Sequence, residues 1–252
     1  MISPAKTPEK MLYFLEEGRS SMVNTLGGKG AGLAEMTRAG LPVPPGFTIT
    51  TETCLEFFRQ GKKFPPDLAT NVANGMRELE RRTGKAFGAG PNPLLVAVRS
   101  GARVSMPGMM DTILNLGLND RTVVALAALS ENPRFAWDAY RRFIAMFSDI
   151  VLSVEKAHFD AIIERAKEHL GVSIDPDVDA KTWQAVVSDF KVLVEKKTGA
   201  PFPQDVHAQL TAAIEAVFNS WYSKRAIDYR RFNKIPEAVS YTHLTLPTIL
   251  RV

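Results

Sequence analysis

The chain has 252 residues, of which 45% are hydrophobic and 23% charged, so it has the apolar content of a globular protein and not that of a disordered one. Its formal net charge of +4 is spread along the sequence among acidic residues, which predicts a mixed solvated surface and no nucleic-acid partner. No apolar run approaches the roughly 20 residues of a transmembrane helix, and the N-terminus lacks a signal-peptide core, so we expect a cytoplasmic protein with no membrane partner.

Strand-like and helical patterns alternate within residues 1–118, which predicts an α/β layer. Strands are expected at residues 13–15, 47–50 and 94–98. A first helix is expected after the glycines at 27–32, ending near Gly40. A second is expected from Leu68 toward Gly84, where apolar residues recur at intervals of four and three.

Helical patterns alone follow from Asn119 onward, and we interpret residues 119–202 as a helical insertion and residues 203–238 as a return to the first layer. Asn132 is expected to cap one helix and Asp179 to open another, and the aromatic stripes of these helices are expected to be core. Glycines 171 and 199 are expected just after two helix ends, and Pro203 is expected to open another helix. Five basic residues are expected on the polar side of a helix rather than in a nucleic-acid patch: Lys224, Arg225, Arg230, Arg231 and Lys234.

The glycine-rich segment around Lys29 has the outline of a phosphate site. Glycines let backbone N–H groups approach a phosphate, and the lysine and the following helix N-terminus add positive charge. The segment lacks the Gly-Lys-Ser/Thr ending of a P-loop. By itself it fits a flexible turn with a solvent-facing lysine equally well.

A second candidate is Arg99, which ends an apolar strand and precedes a loop that contains Ser105, Gly108 and Thr112. A guanidinium can bind two phosphate oxygens at once, and hydroxyls or amides of the loop can add hydrogen bonds. The alternative is a buried loop in which Arg99 is paired with a structural carboxylate. If the phosphate interpretation holds, Lys29 and Arg99 converge on one anion-binding site.

Four segments resemble successive blocks of the pyruvate, phosphate dikinase family, in that family's order. They are residues 26–36, 41–51, 98–120 and 132–143, and the third reads Val98-Arg-Ser-Gly-Ala-Arg-Val-Ser-Met-Pro-Gly-Met-Met-Asp-Thr-Ile-Leu-Asn-Leu-Gly-Leu-Asn-Asp120. The resemblance covers roughly residues 10–237. It implies an α/β (α+β) fold, namely part of an ATP-grasp nucleotide-binding domain with an all-helical inserted subdomain.

The resemblance also implies a reaction and its site. Family members transfer the β-phosphoryl group of ATP to a histidine and then to pyruvate, which converts ATP, pyruvate and phosphate into AMP, phosphoenolpyruvate and pyrophosphate. ATP is thus the expected substrate, and Lys29 and Arg99 are the catalytic candidates. The implied ATP contacts are Lys29, Arg99, Gly108, Met109, Met110, Asp111 and Thr112. Magnesium is expected with ATP, but its acidic ligands in the family lie beyond the resembling segment, so no metal ligand is assigned.

The same resemblance predicts a fragment that is catalytically incomplete alone. None of the four histidines lies in the family's Gly-Gly-Met-Thr-Ser-His-Ala segment, so pyruvate and phosphate are expected as partners of the full-length parent only. The parent is expected to be a homo-oligomer and the fragment a monomer. Residues 239–252 depart from the family and are interpreted as a foreign tail that can pair with a free sheet edge. Natural divergence is the alternative.

Two other functions stay open at this point. Phosphoenolpyruvate synthase shares the glycine-lysine turn and the Pro-Val-Pro-Pro-Gly-Phe stretch. Its loop after the strand-end arginine usually reads Ser-Ser-Ala-Thr-Ala-Glu-Asp, whereas this chain has Ser100-Gly-Ala-Arg. The other is a non-catalytic nucleotide-binding module that uses the same fold.

Overall fold

The computed structural model describes residues 10–100, 106, 108 and 111–235, together with the backbone of residues 244–245. Helices dominate and are combined with small sheets, which is the α+β combination predicted from the sequence. The strands are β1 (Leu12–Phe14), β2 (Phe47–Ile49), β3 (Ala86–Phe87), β4 (Pro93–Leu94), β5 (Val96–Ser100), β6 (Thr112–Leu116) and β7 (Leu244–Thr245). The α-helices are α1 (Val23–Arg38), α2 (Thr51–Arg59), α3 (Leu68–Thr83), α4 (Thr122–Leu129), α5 (Pro133–Ile150), α6 (Lys156–Leu170), α7 (Ala180–Thr198), α8 (Val206–Ser220) and α9 (Lys224–Phe232).

The chain divides into two compact units. The first contains the described residues within Met1–Thr83, Ala97–Thr112 and Ile214–Ile249, and the second those within Gly84–Val96 and Ile113–Ala213. The division predicted from the sequence, at residues 118, 202 and 238, stays a prediction. None of the helices in the described part of the chain is both long and apolar enough to cross a bilayer.

The larger sheet has five strands in the order β1-β2-β7-β5-β6. The pairs β1/β2, β2/β7 and β5/β7 are antiparallel, and Thr245 lies opposite both Thr48 and Arg99. The expectation that the tail pairs with a free sheet edge was wrong in one respect, because β7 pairs inside the sheet. Two facing strands each present a row of N–H and C=O groups, and one intervening strand satisfies both rows.

Helices α1 and α3 cover opposite faces of β2. A Cβ atom added to Gly75 of α3 would lie 2.9 Å from a ring carbon of Phe47, and one added to Gly30 of α1 would lie 3.0 Å from the Thr48 hydroxyl. Successive residues of a strand point to opposite faces, so Phe47 and Thr48 define the two sides. The first unit is therefore layered around the sheet, with a glycine at each close contact between helix and strand.

The glycine-rich segment is mostly helical, which corrects the expected loop at 27–32. Helix α1 already begins at Val23, and only Gly27 leaves helical geometry, with φ 67° and ψ 174°. Glycine adopts a positive φ without the steric cost that a side chain brings, so the helix breaks there and resumes at Gly28. Gly30 is helical because its missing side chain lets α1 approach Thr48.

The second unit contains the predicted helices with the predicted caps. The side chain of Asn132 accepts a hydrogen bond from the Phe135 N–H at 3.0 Å, and that of Asp179 accepts one from the Thr182 N–H at 2.7 Å. Gly171 and Gly199 end α6 and α7 in the left-handed conformation, which glycine tolerates. Of the aromatic residues predicted as core, Phe143, Phe147, Trp183 and Phe190 are fully buried, whereas Phe135 is half-buried.

Three details of the sequence interpretation were wrong. Helix α8 begins at Val206 and not at Pro203, because the Asp205 side chain accepts a hydrogen bond from the His207 N–H at 2.9 Å and takes the capping position. Strand β3 was not predicted, since two residues are too few for a periodic signal, and the strand predicted at 94–98 is divided between β4 and β5. Strand β6 begins at Thr112, where the sequence predicted a continuing loop.

Two glycine-to-alanine substitutions test whether close packing explains why glycine, a poor helix former, occupies positions inside these helices. Gly75→Ala places a methyl group against Phe47, and we expect it to lower the free energy of unfolding by about 1–3 kcal/mol, as overpacking does. In Gly32→Ala no described atom lies within 4 Å of the new methyl group, and we expect this substitution to raise the free energy of unfolding by about 0.5–1 kcal/mol. Urea unfolding of both variants measures the difference. Equal stabilisation by both substitutions would contradict the packing explanation.

Candidate functional site

Lys29 lies in the first helical turn after the break at Gly27. The positive end of the resumed helix therefore coincides with Lys29, which is exposed as a whole residue although its ammonium is partly buried. The Lys29 ammonium donates a hydrogen bond to the main-chain oxygen of Ser100 at 3.2 Å. Ser100 is the last residue of β5 and follows Arg99 directly, so this bond fixes α1 beside the end of that strand.

The structure brings Lys29 and Arg99 together, although 70 positions separate them in the sequence. The pKa of Lys29 is lowered from its ordinary value of 10.5, first by burial of the ammonium and second by the positive charge of Arg99. Both groups are cations at neutral pH. Two like charges are thus held near each other at the end of β5.

Arg99 is half-buried, and its Nε atom is buried without a hydrogen-bond partner among the described residues. Burial lowers the pKa of the guanidinium, yet an arginine stays charged at physiological pH. The alternative in which Arg99 is paired with a structural carboxylate is not seen within the described residues. A desolvated cation with an unused donor, next to a second cation, favours an anion as ligand.

The residues from Gly108 to Thr112, predicted to contact ATP, differ in exposure and in secondary structure. Gly108 is exposed, with φ 74°, a conformation that suits glycine. Asp111 is half-buried and forms an ion pair with Arg225. Thr112 is the first residue of β6 and so lies in a strand, which corrects its placement in a loop. Met109 and Met110 lie outside the described residues.

The sequence interpretation missed the contacts that Asp111 and Met106 make with helix α9 and with the turn that precedes it. Besides the ion pair of Arg225 with Asp111, the side chain of Met106 is buried together with Trp221. The basic residues of α9 were expected to share a polar face, but Arg230 is only 5% exposed. Its guanidinium lies 4.0 Å from the centre of the Trp221 ring and donates a hydrogen bond to the Trp221 oxygen, so stacking draws this arginine inward.

The described residues do not form a magnesium site. No group of three or more His, Cys, Asp or Glu side chains able to hold a metal ion occurs among them. The one acidic residue of the predicted loop, Asp111, is engaged with Arg225. Magnesium usually takes carboxylates together with phosphates and water, and one paired carboxylate is not enough.

Two cavities belong to the second unit, of about 840 and 510 Å³. The larger is lined by α6 and α7 and the smaller by α5, α6 and Asp175. Asp175 pairs with Arg141 and Lys167, so the smaller cavity contains an ion-pair network that balances its own charge. Neither cavity is lined by any of the predicted site residues.

The family described as "Pyruvate phosphate dikinase, AMP/ATP-binding domain" matches residues 23–63 and 60–243. The chain belongs to this family. The match contains Lys29, Arg99 and the whole segment from Gly108 to Thr112. It ends inside residues 239–252, so the interpretation of those residues as a foreign tail stays a prediction.

Individual relatives are named as pyruvate, phosphate dikinases. Pyruvate, phosphate dikinase of Clostridium symbiosum is 52% identical over 228 residues, which cover 90% of this chain and 26% of the relative. The pyruvate, phosphate dikinase of Entamoeba histolytica is 50% identical over 240 residues, which cover 95% of this chain and 27% of the relative. Pyruvate, phosphate dikinase 1, chloroplastic, of Arabidopsis thaliana is 46% identical over 244 residues, which cover 93% of this chain and 25% of the relative. The chain spans about a quarter of the length of the curated relatives that it matches.

The effect of the Arg99 charge on Lys29 predicts how one substitution shifts the pKa of this lysine. Arg99→Gln removes the neighbouring positive charge, so the pKa of Lys29 should rise toward 10.5 without reaching it, because burial of the ammonium remains. Titration of the lysine side-chain resonances by NMR measures this pKa. Arg77→Gln is the control, because Arg77 is not among the groups that lower the pKa of Lys29. An unchanged Lys29 pKa in Arg99→Gln would show that the charge of Arg99 does not act on Lys29.

Proposed function

We propose that this chain is the ATP-binding part of a pyruvate, phosphate dikinase and that Lys29 and Arg99 bind the phosphates of ATP. The observation that carries the proposal is the hydrogen bond from Lys29 to Ser100, the residue after Arg99, together with a buried donor of Arg99 that has no partner among the described residues. The family's description as an AMP/ATP-binding domain supports a nucleotide as the ligand. A polyphosphate would relieve the repulsion between the two cations and accept the unused hydrogen bond.

The proposed role of these residues is to position the phosphates and neutralise their charge. In phosphoryl transfer the charge of the transition state spreads over phosphoryl oxygens, so preorganised donors contribute more than covalent chemistry. Lys29 supplies a mobile ammonium and Arg99 a planar fork of donors. We include Gly108, Met109, Met110, Asp111 and Thr112 in the phosphate site on the resemblance alone.

The ATP-grasp assignment, the helical insertion at 119–202 and the return at 203–238 are part of the same proposal. The sheet with helices on both faces of β2 and the separate unit of packed helices support them. Magnesium is proposed to accompany ATP, with ligands from outside the described residues. A cytoplasmic location also stays a prediction.

The complete reaction is proposed for the parent protein. It would pass a phosphoryl group from ATP through a histidine to pyruvate, and phosphate would take the other phosphoryl group. The matched region amounts to about a quarter of each relative, and the resemblance places the catalytic histidine and the pyruvate site elsewhere in the family's sequence. A homo-oligomeric parent and a monomeric 252-residue chain are proposed on the same ground.

Arg99→Ala tests the phosphate assignment. The substitution should weaken ATP binding by about 10- to 100-fold, the range expected for the loss of charge-assisted hydrogen bonds, while adenosine binding changes little because adenosine has no phosphate. Isothermal titration calorimetry with both ligands measures the two losses. Arg77→Ala, on the exposed side of α3, is the matched arginine control. Equal losses for ATP and adenosine would assign Arg99 a structural role instead.

The 252-residue polypeptide should bind nucleotide without completing the reaction. We expect no phosphoenolpyruvate above a no-protein control when it is incubated with ATP, pyruvate, phosphate and magnesium, since the resemblance places the phosphate-carrying histidine outside this sequence. A coupled assay for phosphoenolpyruvate measures this outcome. Net formation of phosphoenolpyruvate would require a histidine of this chain to act as carrier and would overturn the division of roles.

A further inference from the structure

We propose that strand β7 (Leu244–Thr245) is a positioning element for Lys29 and Arg99, acting through its backbone pairing with β5. It lies between β2 and β5 in the first unit, which also contains both cations. A positioning role concerns where the two charges are held, and it applies whether or not the strand itself touches a ligand. Its consequence for ATP rests on the proposed function.

Described contacts connect β7 to both cations. Thr245 lies opposite Arg99 in the antiparallel pair with β5, and Leu244 lies opposite Ser100. The Ser100 oxygen accepts the hydrogen bond from the Lys29 ammonium at 3.2 Å. The end of β5 therefore carries one cation on its own side chain and holds the other through a main-chain oxygen, and β7 is paired with the two residues concerned.

Strand β7 is paired on both sides. Thr48 of β2 lies opposite Thr245 on one side, as Arg99 does on the other. Successive residues of a strand direct their N–H and C=O groups to opposite neighbours, so a strand of two residues offers one set of groups to β2 and the other to β5. Such main-chain hydrogen bonds are open to a segment of any origin, so the role holds whether residues 239–252 are a foreign tail or a natural one.

The pairing sets the separation of the two elements that carry the cations. Thr48 contacts α1, since a Cβ atom added to Gly30 would lie 3.0 Å from its hydroxyl oxygen, and Lys29 precedes Gly30 in that helix. Arg99 lies across Thr245 from Thr48, which is two strand spacings or about 10 Å. Helix α1 is thus positioned by β2 and Arg99 by β5, and β7 is the strand between them.

The pKa of Lys29 reports on this separation. Burial lowers it first and the positive charge of Arg99 second, and both effects depend on how closely β5 is held against α1. If β5 were released from β7, the ammonium would become better solvated and would move away from the guanidinium, so the pKa would rise toward 10.5. A contribution of β7 to stability alone would not change this pKa in the folded protein.

Thr245→Pro is the test variant, because proline lacks the N–H and is not tolerated in a strand that is paired on both sides. Compared with the wild-type chain, it should raise the pKa of Lys29 and speed hydrogen exchange of the β5 amides that face β7. ATP binding should weaken by about fivefold, the scale of one lost hydrogen bond, while adenosine binding stays unchanged. Thr245→Ser keeps the N–H and is the matched control, with no change expected. NMR titration and isothermal titration calorimetry measure the pKa and the two affinities.

A measurement on the unmodified chain covers the case in which Thr245→Pro does not fold. The amides of Leu244 and Thr245 should exchange more slowly than those of an unstructured peptide, because β7 is paired with a strand on each side. Exchange at the unstructured rate, together with a lowered Lys29 pKa, would overturn the proposal, since the cations would then be held without β7.

The outcomes separate this role from the function on which its consequence for ATP depends. If Thr245→Pro leaves both the Lys29 pKa and the ATP affinity unchanged while Arg99→Ala weakens ATP binding, β7 has no positioning role and the proposed function stands. If the Lys29 pKa rises but the wild-type chain has no measurable affinity for ATP, β7 positions the cations and the proposed function fails. Equal losses of ATP and adenosine affinity in Thr245→Pro would indicate a general loosening of the first unit and would count against the proposal.

Discussion

The proximity of two cations at the end of β5 is the constraint on which the candidate site depends. Lys29 and Arg99 repel each other, and burial of both groups increases the cost of their charges. The bond from the Lys29 ammonium to the Ser100 oxygen offsets part of this cost. A protein that only needed stability would place a carboxylate there, whereas the described residues leave a donor of Arg99 unused. Under the proposed function, an anionic ligand would offset this cost.

The fold brings these charges together through close packing between helix and sheet. Helix α1 approaches β2 at Gly30, and the break at Gly27 starts a new helical turn at Lys29. Antiparallel pairing of β5 with β7 fixes Arg99 opposite Thr245. The glycines of this segment therefore have two roles, one in changing the direction of the backbone and one in allowing contact. The sequence pattern alone placed all of them before the helix, as a phosphate site or a flexible turn.

The basic residues of α9 show that similar side chains in one helix can serve different purposes. Arg230 is buried and stabilises the turn that carries Trp221, while Lys224 is almost fully exposed and pairs with Asp228 within the helix. Arg225 pairs with Asp111 across the first unit. Family membership accounts for a nucleotide-binding domain, and the relatives are about four times as long as the matched region. The structure further distinguishes the basic side chains that a ligand can reach from those that stabilise the fold.

The sequence by itself determined most helices, their caps and the family. The helix ends depend on interactions within one helix turn, namely local hydrogen bonds at the first residues and the backbone freedom of glycine at the last. The residues concerned are Asn132, Asp179, Gly171 and Gly199. Tertiary structure alone decided the rest. The pairing partners of β7, the inward stacking of Arg230 and the contact of Arg225 with Asp111 depend on residues far apart in the chain. The spacing of apolar residues indicates whether a segment forms a helix or a strand, but not which other segments it packs against. The candidate site consists of contacts between segments that are distant in the sequence.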